Sequence, residues 1–184
     1  MGSKRIYNQA ALFGPLYAYL VVLSPPPGVI DAIAAIKQEM NSIVDIGERN
    51  LHSKAHITLF DRLTDDAGLA ETVKTLISTD AAFNVTIAGW GTFDHGHSVT
   101  VYLKIANPER IVALAEKLKS KASTPHISLA KKLPYATFEK LQPFLQNLNF
   151  TAVWKCDEVL VLRKLMSEKH LGFKESFYIP LRTQ

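Results

Sequence analysis

Short apolar runs and stretches with an apolar residue every three or four positions alternate along this chain. Tyr17–Ser24 reads as a strand, stopped by Pro25-Pro26-Pro27-Gly28. Val29–Met40 then carries apolar residues at 29, 30, 33, 36 and 40, the spacing of one helix face, and the prolines stand where a helix start tolerates them. Ser42–Ser53 reads as a loop. Ala55–Phe60 is an apolar run of buried-strand length. Asp65 or Asp66 is placed to cap a helix over Ala67–Ser78, whose Leu69, Val73, Leu76 and Ile77 share a face. Phe83–Phe93 and Ser98–Ile105 read as strands around a turn at Asp94-His95-Gly96-His97.

Asn107-Pro108 opens a second strong helical pattern, Glu109–Lys121, with Ile111, Leu114, Ala115 and Leu118 inward. Pro125–Ala130 is again a short apolar run. Tyr135–Leu148 is amphipathic, and Pro143 predicts a kink or an early stop. Strands follow at Thr151–Cys156 and Glu158–Leu165, then a loop at Met166–Lys174 and a closing strand at Glu175–Leu181. The order strand, helix, strand, helix, strand thus runs from Leu16 and again from Ser98. The expected fold is α+β, two-lobed and pseudo-two-fold, with mainly antiparallel sheets, helices outside and a central cleft. Residues 1–184 are expected to form one domain, with pseudo-repeated halves at about 16–94 and 98–181.

The two apolar runs share more than length. His56-Ile57-Thr58-Leu59 returns as His126-Ile127-Ser128-Leu129. Successive side chains of a strand point to opposite faces. His56 and Thr58 therefore share one face and Ile57 and Leu59 the other, and the second copy does the same. Two imidazoles and two hydroxyls facing one cleft would supply two proton-transfer groups and two hydrogen-bond donors, a set suited to phosphodiester chemistry without a metal.

Composition narrows the surroundings. A single cysteine, Cys156, excludes an internal disulfide framework or a Cys-based metal site and suits a reducing cytoplasm. The net charge of +4 suits an anionic substrate. Lys4-Arg5 before the apolar stretch Ala10–Leu23 resemble the start of a signal peptide, but Gly14-Pro15 interrupt it, and a first strand is the expected reading. No run reaches the length of a transmembrane helix, and no membrane association is expected. A monomer is expected.

Paired His-x-[Ser/Thr]-x motifs, one in each half of a duplicated α+β chain, resemble the 2H phosphoesterase superfamily, in its branch of bacterial 2′-5′ RNA ligases and cyclic phosphodiesterases. The resemblance spans about Leu16 to Leu181 and is supported by Pro125, by Gly91-Thr92-Phe93 and by the closing strands. It implies catalytic roles for His56, Thr58, His126 and Ser128, no metal and no cofactor. The implied partner is an RNA end or nucleotide carrying a 2′,3′-cyclic phosphate or 2′-5′ linkage. Ser128 replaces a threonine, which the family pattern permits. The flanks Ser53-Lys54-Ala55 and Asp61-Arg62-Leu63 differ from the RNA-ligase branch, where an arginine often precedes the first histidine.

Around the motifs, Tyr19 is a candidate for stacking a base, and Lys54, Arg62 and Lys131, with Lys132, are candidates for meeting phosphates. Two further readings stand beside the enzyme: a nucleotide- or phosphate-binding module that does not turn its ligand over, and a metal site at His95 and His97. His52 and His170 lie in predicted loops and receive no role.

Overall fold

The computed structural model describes residues 14–168 and 172–183; Lys4-Arg5 and His170 lie outside them. The described residues form eight strands and five helices. The strands are β1 (Tyr17–Leu23), β2 (Ile57–Thr64), β3 (Phe83–Asp94), β4 (Val99–Ile105), β5 (His126–Leu133), β6 (Thr151–Cys156), β7 (Glu158–Leu165) and β8 (Glu175–Pro180). The helices are α1 (Pro27–Ile43), α2 (Glu48–Leu51), α3 (Leu69–Ile77), α4 (Glu109–Lys117) and α5 (Tyr135–Asn147).

Neighbouring strands are antiparallel throughout, in the order β6-β3-β4-β5-β2-β1-β7-β8. The two motif strands are the central pair. They meet at a single register position, Ile57 opposite Ile127, so a narrow waist joins two four-stranded lobes. The sheet is also curled. Only Asp157 separates β6 from β7, although they belong to different lobes. Near that corner Arg182 bridges Ala81, and Leu181 N–H donates to the Asp157 carbonyl.

The strand order is symmetric about the Ile57–Ile127 pair, as an approximate two-fold would make it. That two-fold exchanges β2 with β5, β1 with β4, β7 with β3 and β8 with β6. The helices obey it too: α1 packs on β5 and α5, while α4 packs on β2 and α3. Even a bulge repeats. β1 pairs Val21 with Phe60 and Val22 with Thr58, skipping Leu59; β4 pairs Val101 with Ala130 and Tyr102 with Ser128, skipping Leu129. The lobes do not coincide with the sequence halves 16–94 and 98–181. Strand β3 lies beside β4 in the second lobe, and β7 and β8 lie beside β1 in the first. Each lobe borrows strands from the other half.

Several boundaries differ from the sequence expectation for physical reasons. Helix α4 ends at Lys117, not Lys121. Ser120 N–H bonds to Ala115 O and Lys119 N–H to Glu116 O, with Lys119 at φ 55, a Schellman stop with lysine where glycine usually stands. Helix α3 begins at Leu69, because Asp66 Oδ1 takes the Gly68 N–H in a turn before the helix rather than capping it. Helix α5 runs through Pro143 to Asn147, anchored by the fully buried Leu141 and Leu145 on either side. The stretch read as a loop at Ser42–Ser53 contains α2.

Candidate active site

The alternation read from the two motifs holds in space. Ala55, Ile57 and Leu59 are buried, as are Pro125, Ile127 and Leu129, while His56, Thr58, His126 and Ser128 are partly open. His56 stands one residue before β2, and His126 is the first residue of β5. Because the strands are antiparallel with Ile57 opposite Ile127, one step along each strand brings His56 alongside Ser128 and His126 alongside Thr58. By register each histidine thus falls across from the hydroxyl residue of the other copy.

Both imidazoles are oriented identically. His56 Nδ1 lies 2.8 Å from the Lys54 carbonyl and His126 Nδ1 lies 2.8 Å from the Thr124 carbonyl, each two residues back. A carbonyl only accepts, so each Nδ1 carries the proton and each Nε2 keeps its lone pair in the neutral form. Burial pushes both imidazoles below their ordinary pKa, and the carbonyl contacts act in the opposite sense. Lys131 adds to the lowering at both, and Lys37 and His126 add to it at His56. Both rings are thus disposed to be neutral when the cleft holds no anion.

The cleft has two compartments that share Lys131 and Lys132. One, of about 400 Å³, is lined by His56 and Ser128 together with Arg49, Asn50, Ser53 and Lys54. The other, of about 500 Å³, is lined by His126 with Phe93, His95, His97, Ser98 and Thr100. Strand β5 turns both lysines into the cleft. Its register against β4 slips once more between Val99 opposite Leu133 and Val101 opposite Ala130, and Lys132 sits at φ 57. Strand β2 has no such second slip.

That difference disposes of one candidate. Arg62, seventy positions before Lys132, stays in register opposite Tyr19, lies over the Phe60 ring, and lines neither compartment. Tyr19 is corrected as well. Its ring is in the core at 1% exposure and its hydroxyl donates to the Asp66 and Ala67 carbonyls, leaving no face for a base. Lys54 and Lys131 do line the cleft. His95 and His97 line the second compartment, where His95 Nε2 is 3.0 Å from Thr100 Oγ1. Among the described residues no group of three or more His, Cys, Asp or Glu side chains is placed to hold a metal.

Sequence reasoning missed the support around these residues. The Asn50 carboxamide brackets the backbone of Lys131, accepting from its N–H at 2.9 Å and donating to its carbonyl at 3.0 Å. This ties α2 to the bulge of the opposite lobe. Ser53 Oγ donates to the Asn50 carbonyl and, with the Ser53 carbonyl, receives the Lys37 ammonium at 2.7 Å. Lys37 is buried at 1% exposure, and burial followed by the nearby Lys131 lowers its pKa to about 8. On the other side Tyr102 stacks on Phe93 at 4.3 Å, and both rings stand about 5 Å from the His126 ring. Gly91 makes room for this. A Cβ there would come within 2.8 Å of the Tyr102 ring. Asn50, Lys37 and Tyr102 carry no signal in a repeat or motif, while Gly91 and Phe93 stand in a segment and Ser53 in a flank that the sequence singles out without assigning them a role.

Lys37 provides a direct check on this electrostatic picture. Lys37→Met removes a cation whose charge lowers the His56 pKa while keeping a long side chain, so the His56 pKa should rise and that of His126 should hardly move. Ring-proton NMR titration of both histidines reads this, and equal movement of the two would contradict the placement.

The two central strands each place a histidine at one cleft, and Ser128 lines it beside His56. A family model described as the 2′-5′ RNA ligase superfamily matches residues 25–167, and the chain belongs to that superfamily. Among solved structures it is similar to TT0787 of Thermus thermophilus, at 15% identity and TM-score 0.57, covering 88% of this chain and 97% of that one. It is also similar to E. coli LigT complexed with 3′-AMP, at 14% identity and TM-score 0.58, covering 90% and 95%. LigT complexed with NADP+ matches at 15% identity and TM-score 0.55, covering 91% and 96%. A search of curated proteins finds no match. Among the described residues, no helix is long and apolar enough to cross a membrane.

Proposed function

We propose that this chain is a metal-independent phosphodiesterase that opens 2′,3′-cyclic phosphates or 2′-5′ phosphodiesters at RNA or nucleotide ends, with His56 and His126 as general base and general acid. The observation that carries this reading is the matched anchoring of the two rings. Each Nδ1 is held by a carbonyl two residues back, and each Nε2 is left to exchange a proton. One neutral imidazole takes a proton from water as the water oxygen bonds to phosphorus. The other, protonated, gives its proton to the ribose oxygen as the P–O bond breaks. Thr58 and Ser128 donate hydrogen bonds to the non-bridging oxygens as charge gathers there. With a 5′-hydroxyl in place of water and a cyclic phosphate as acceptor, the same groups would form a 2′-5′ linkage. The LigT complexes with 3′-AMP and NADP+ favour a nucleotide ligand.

The pH dependence tests it. Productive free enzyme needs one imidazole neutral and the other protonated, so kcat/KM rises through the base pKa and falls through the acid pKa. Both pKa values are lowered from the ordinary histidine value, so the maximum on adenosine 2′,3′-cyclic phosphate is expected below pH ~6.5. EDTA should leave the rate unchanged. A maximum on the alkaline side, or a rate abolished by chelation, would sink the mechanism. Binding of the cyclic nucleotide without any product would indicate a binding module instead.

A further inference from the structure

The two-fold relation between the motifs makes the unlike character of the two compartments informative. We infer that the compartment beside His56 is a subsite for a second phosphate of the substrate, one nucleoside away from the phosphate undergoing reaction, with Arg49 and Lys54 as its specificity-determining residues. This rests on the reading of the cleft as a phosphodiesterase site.

The seventy-residue offset between the motifs relates Lys54 to Thr124, Lys131 to Asp61 and Lys132 to Arg62. The fold does not reproduce the cations of one side on the other. The His56 compartment is lined by Arg49, Lys54, Lys131 and Lys132 and by no acidic residue. The ion pairs of the described residues include none of these four side chains. The compartment beside His126 shares Lys131 and Lys132, but where the other has Arg49 and Lys54 it has Phe93, two further histidines and two hydroxyl residues.

Lys131 and Lys132 line both compartments and so sit where the reacting phosphate must lie, between the histidines. One phosphate needs no more than those two lysines and the two hydroxyls. Arg49 and Lys54 border only the His56 compartment. They are surplus to the reacting phosphate and suited to another anion, since guanidinium and ammonium groups make charge-assisted hydrogen bonds to phosphate oxygens. The backbone that carries Arg49 is also held in place, though its side chain is exposed. Arg49 adjoins Asn50, whose carboxamide fixes α2 to the Lys131 backbone across the cleft. A structural account of α2 as a simple loop closure would need Asn50 but would not need a cationic rim.

The second phosphate is either the internal phosphodiester of an RNA strand or the terminal phosphate of a nucleotide, and the substrates separate these sources. Hydrolysis is compared for adenosine 2′,3′-cyclic phosphate, its 5′-phosphorylated form, and the dinucleotide ApA ending in a 2′,3′-cyclic phosphate. The readout is each longer substrate's kcat/KM divided by that of the unphosphorylated nucleoside cyclic phosphate. Charge-assisted contacts to one phosphate correspond to a ratio of about tenfold or more. The ratio should fall toward one in Arg49→Ala/Lys54→Ala, and Arg49→Lys should retain part of it. Both side chains are exposed, and the His56 contact uses the backbone carbonyl of Lys54, so the double variant keeps that anchor. A high ratio for the dinucleotide alone assigns an internal phosphodiester; a high ratio for both assigns any 5′-phosphate. Ratios near one in the wild type, or unchanged in the double variant, overturn the subsite while leaving the phosphodiesterase reading intact. No hydrolysis of any of the three removes that reading and the subsite with it.

Discussion

Replacing His56 or His126 by alanine is expected to lower kcat on a 2′,3′-cyclic nucleotide by ~10²–10⁴-fold in each case, the usual contribution of a positioned acid or base. Equal severity is expected because the two rings occupy equivalent places about the Ile57–Ile127 axis and the reaction needs one of each protonation state. The double variant should be little worse than either single one, since groups acting as a unit do not contribute additively. Asparagine separates anchoring from proton transfer. Its amide N–H can donate to the Lys54 or Thr124 carbonyl in place of Nδ1–H, yet it does not titrate. His56→Asn and His126→Asn should therefore keep the wild-type melting temperature and bind product, and still lose turnover. Single-turnover kinetics with thermal denaturation would check this, and an alanine variant retaining more than a tenth of the wild-type rate would exclude that histidine from the chemistry.

The part of this site that the sequence exposes is the part governed by strand periodicity. His56 and Thr58 alternate with Ile57 and Leu59, and the copy at 126–129 repeats the alternation, so the open and buried faces follow from the pleat alone. The α+β class and most strands follow from the same signal. What escapes is whatever depends on a single backbone dihedral or a contact distant in sequence. Nothing local announces that Lys119 ends a helix or that Lys132 opens a bulge, because the left-handed region is usually signalled by glycine and both residues are lysines. Asn50 meets Lys131 eighty-one positions away, from a four-residue helix too short to show periodicity. Tyr19 fails in the opposite direction. Its place in an alternating strand is compatible with a stacking role, and only the Asp66 and Ala67 carbonyls reveal that its hydroxyl is a core tether. The exchange of strands between lobes escapes for a related reason. An element order records which elements repeat, and pairing partners are chosen by contacts that the order does not contain.

The second large effect concerns the hydroxyls. Thr58→Val and Ser128→Ala are each expected to lower kcat by ~10²–10³-fold, equivalent to ~2.7–4 kcal/mol for one donor aimed at developing charge. KM should change little, because the negative charge these groups meet builds up chiefly in the transition state and a loss confined to kcat marks an interaction made there. The register makes the expectation specific. With Ile57 opposite Ile127, Ser128 falls beside His56 and Thr58 beside His126 in register, so under the proposed mechanism each hydroxyl would donate to the phosphate from beside the imidazole of the opposite strand. Coupling in double-mutant cycles should accordingly be stronger between Ser128 and His56 than between Ser128 and His126, and likewise for Thr58 with His126. Thr58→Ser and Ser128→Thr keep the donor and should retain most of the activity, with the extra methyl of the latter accommodated on a partly open face. If valine and alanine raised KM and left kcat intact, the hydroxyls would be holding the ground-state phosphate, and the differential stabilisation assigned to them would be wrong.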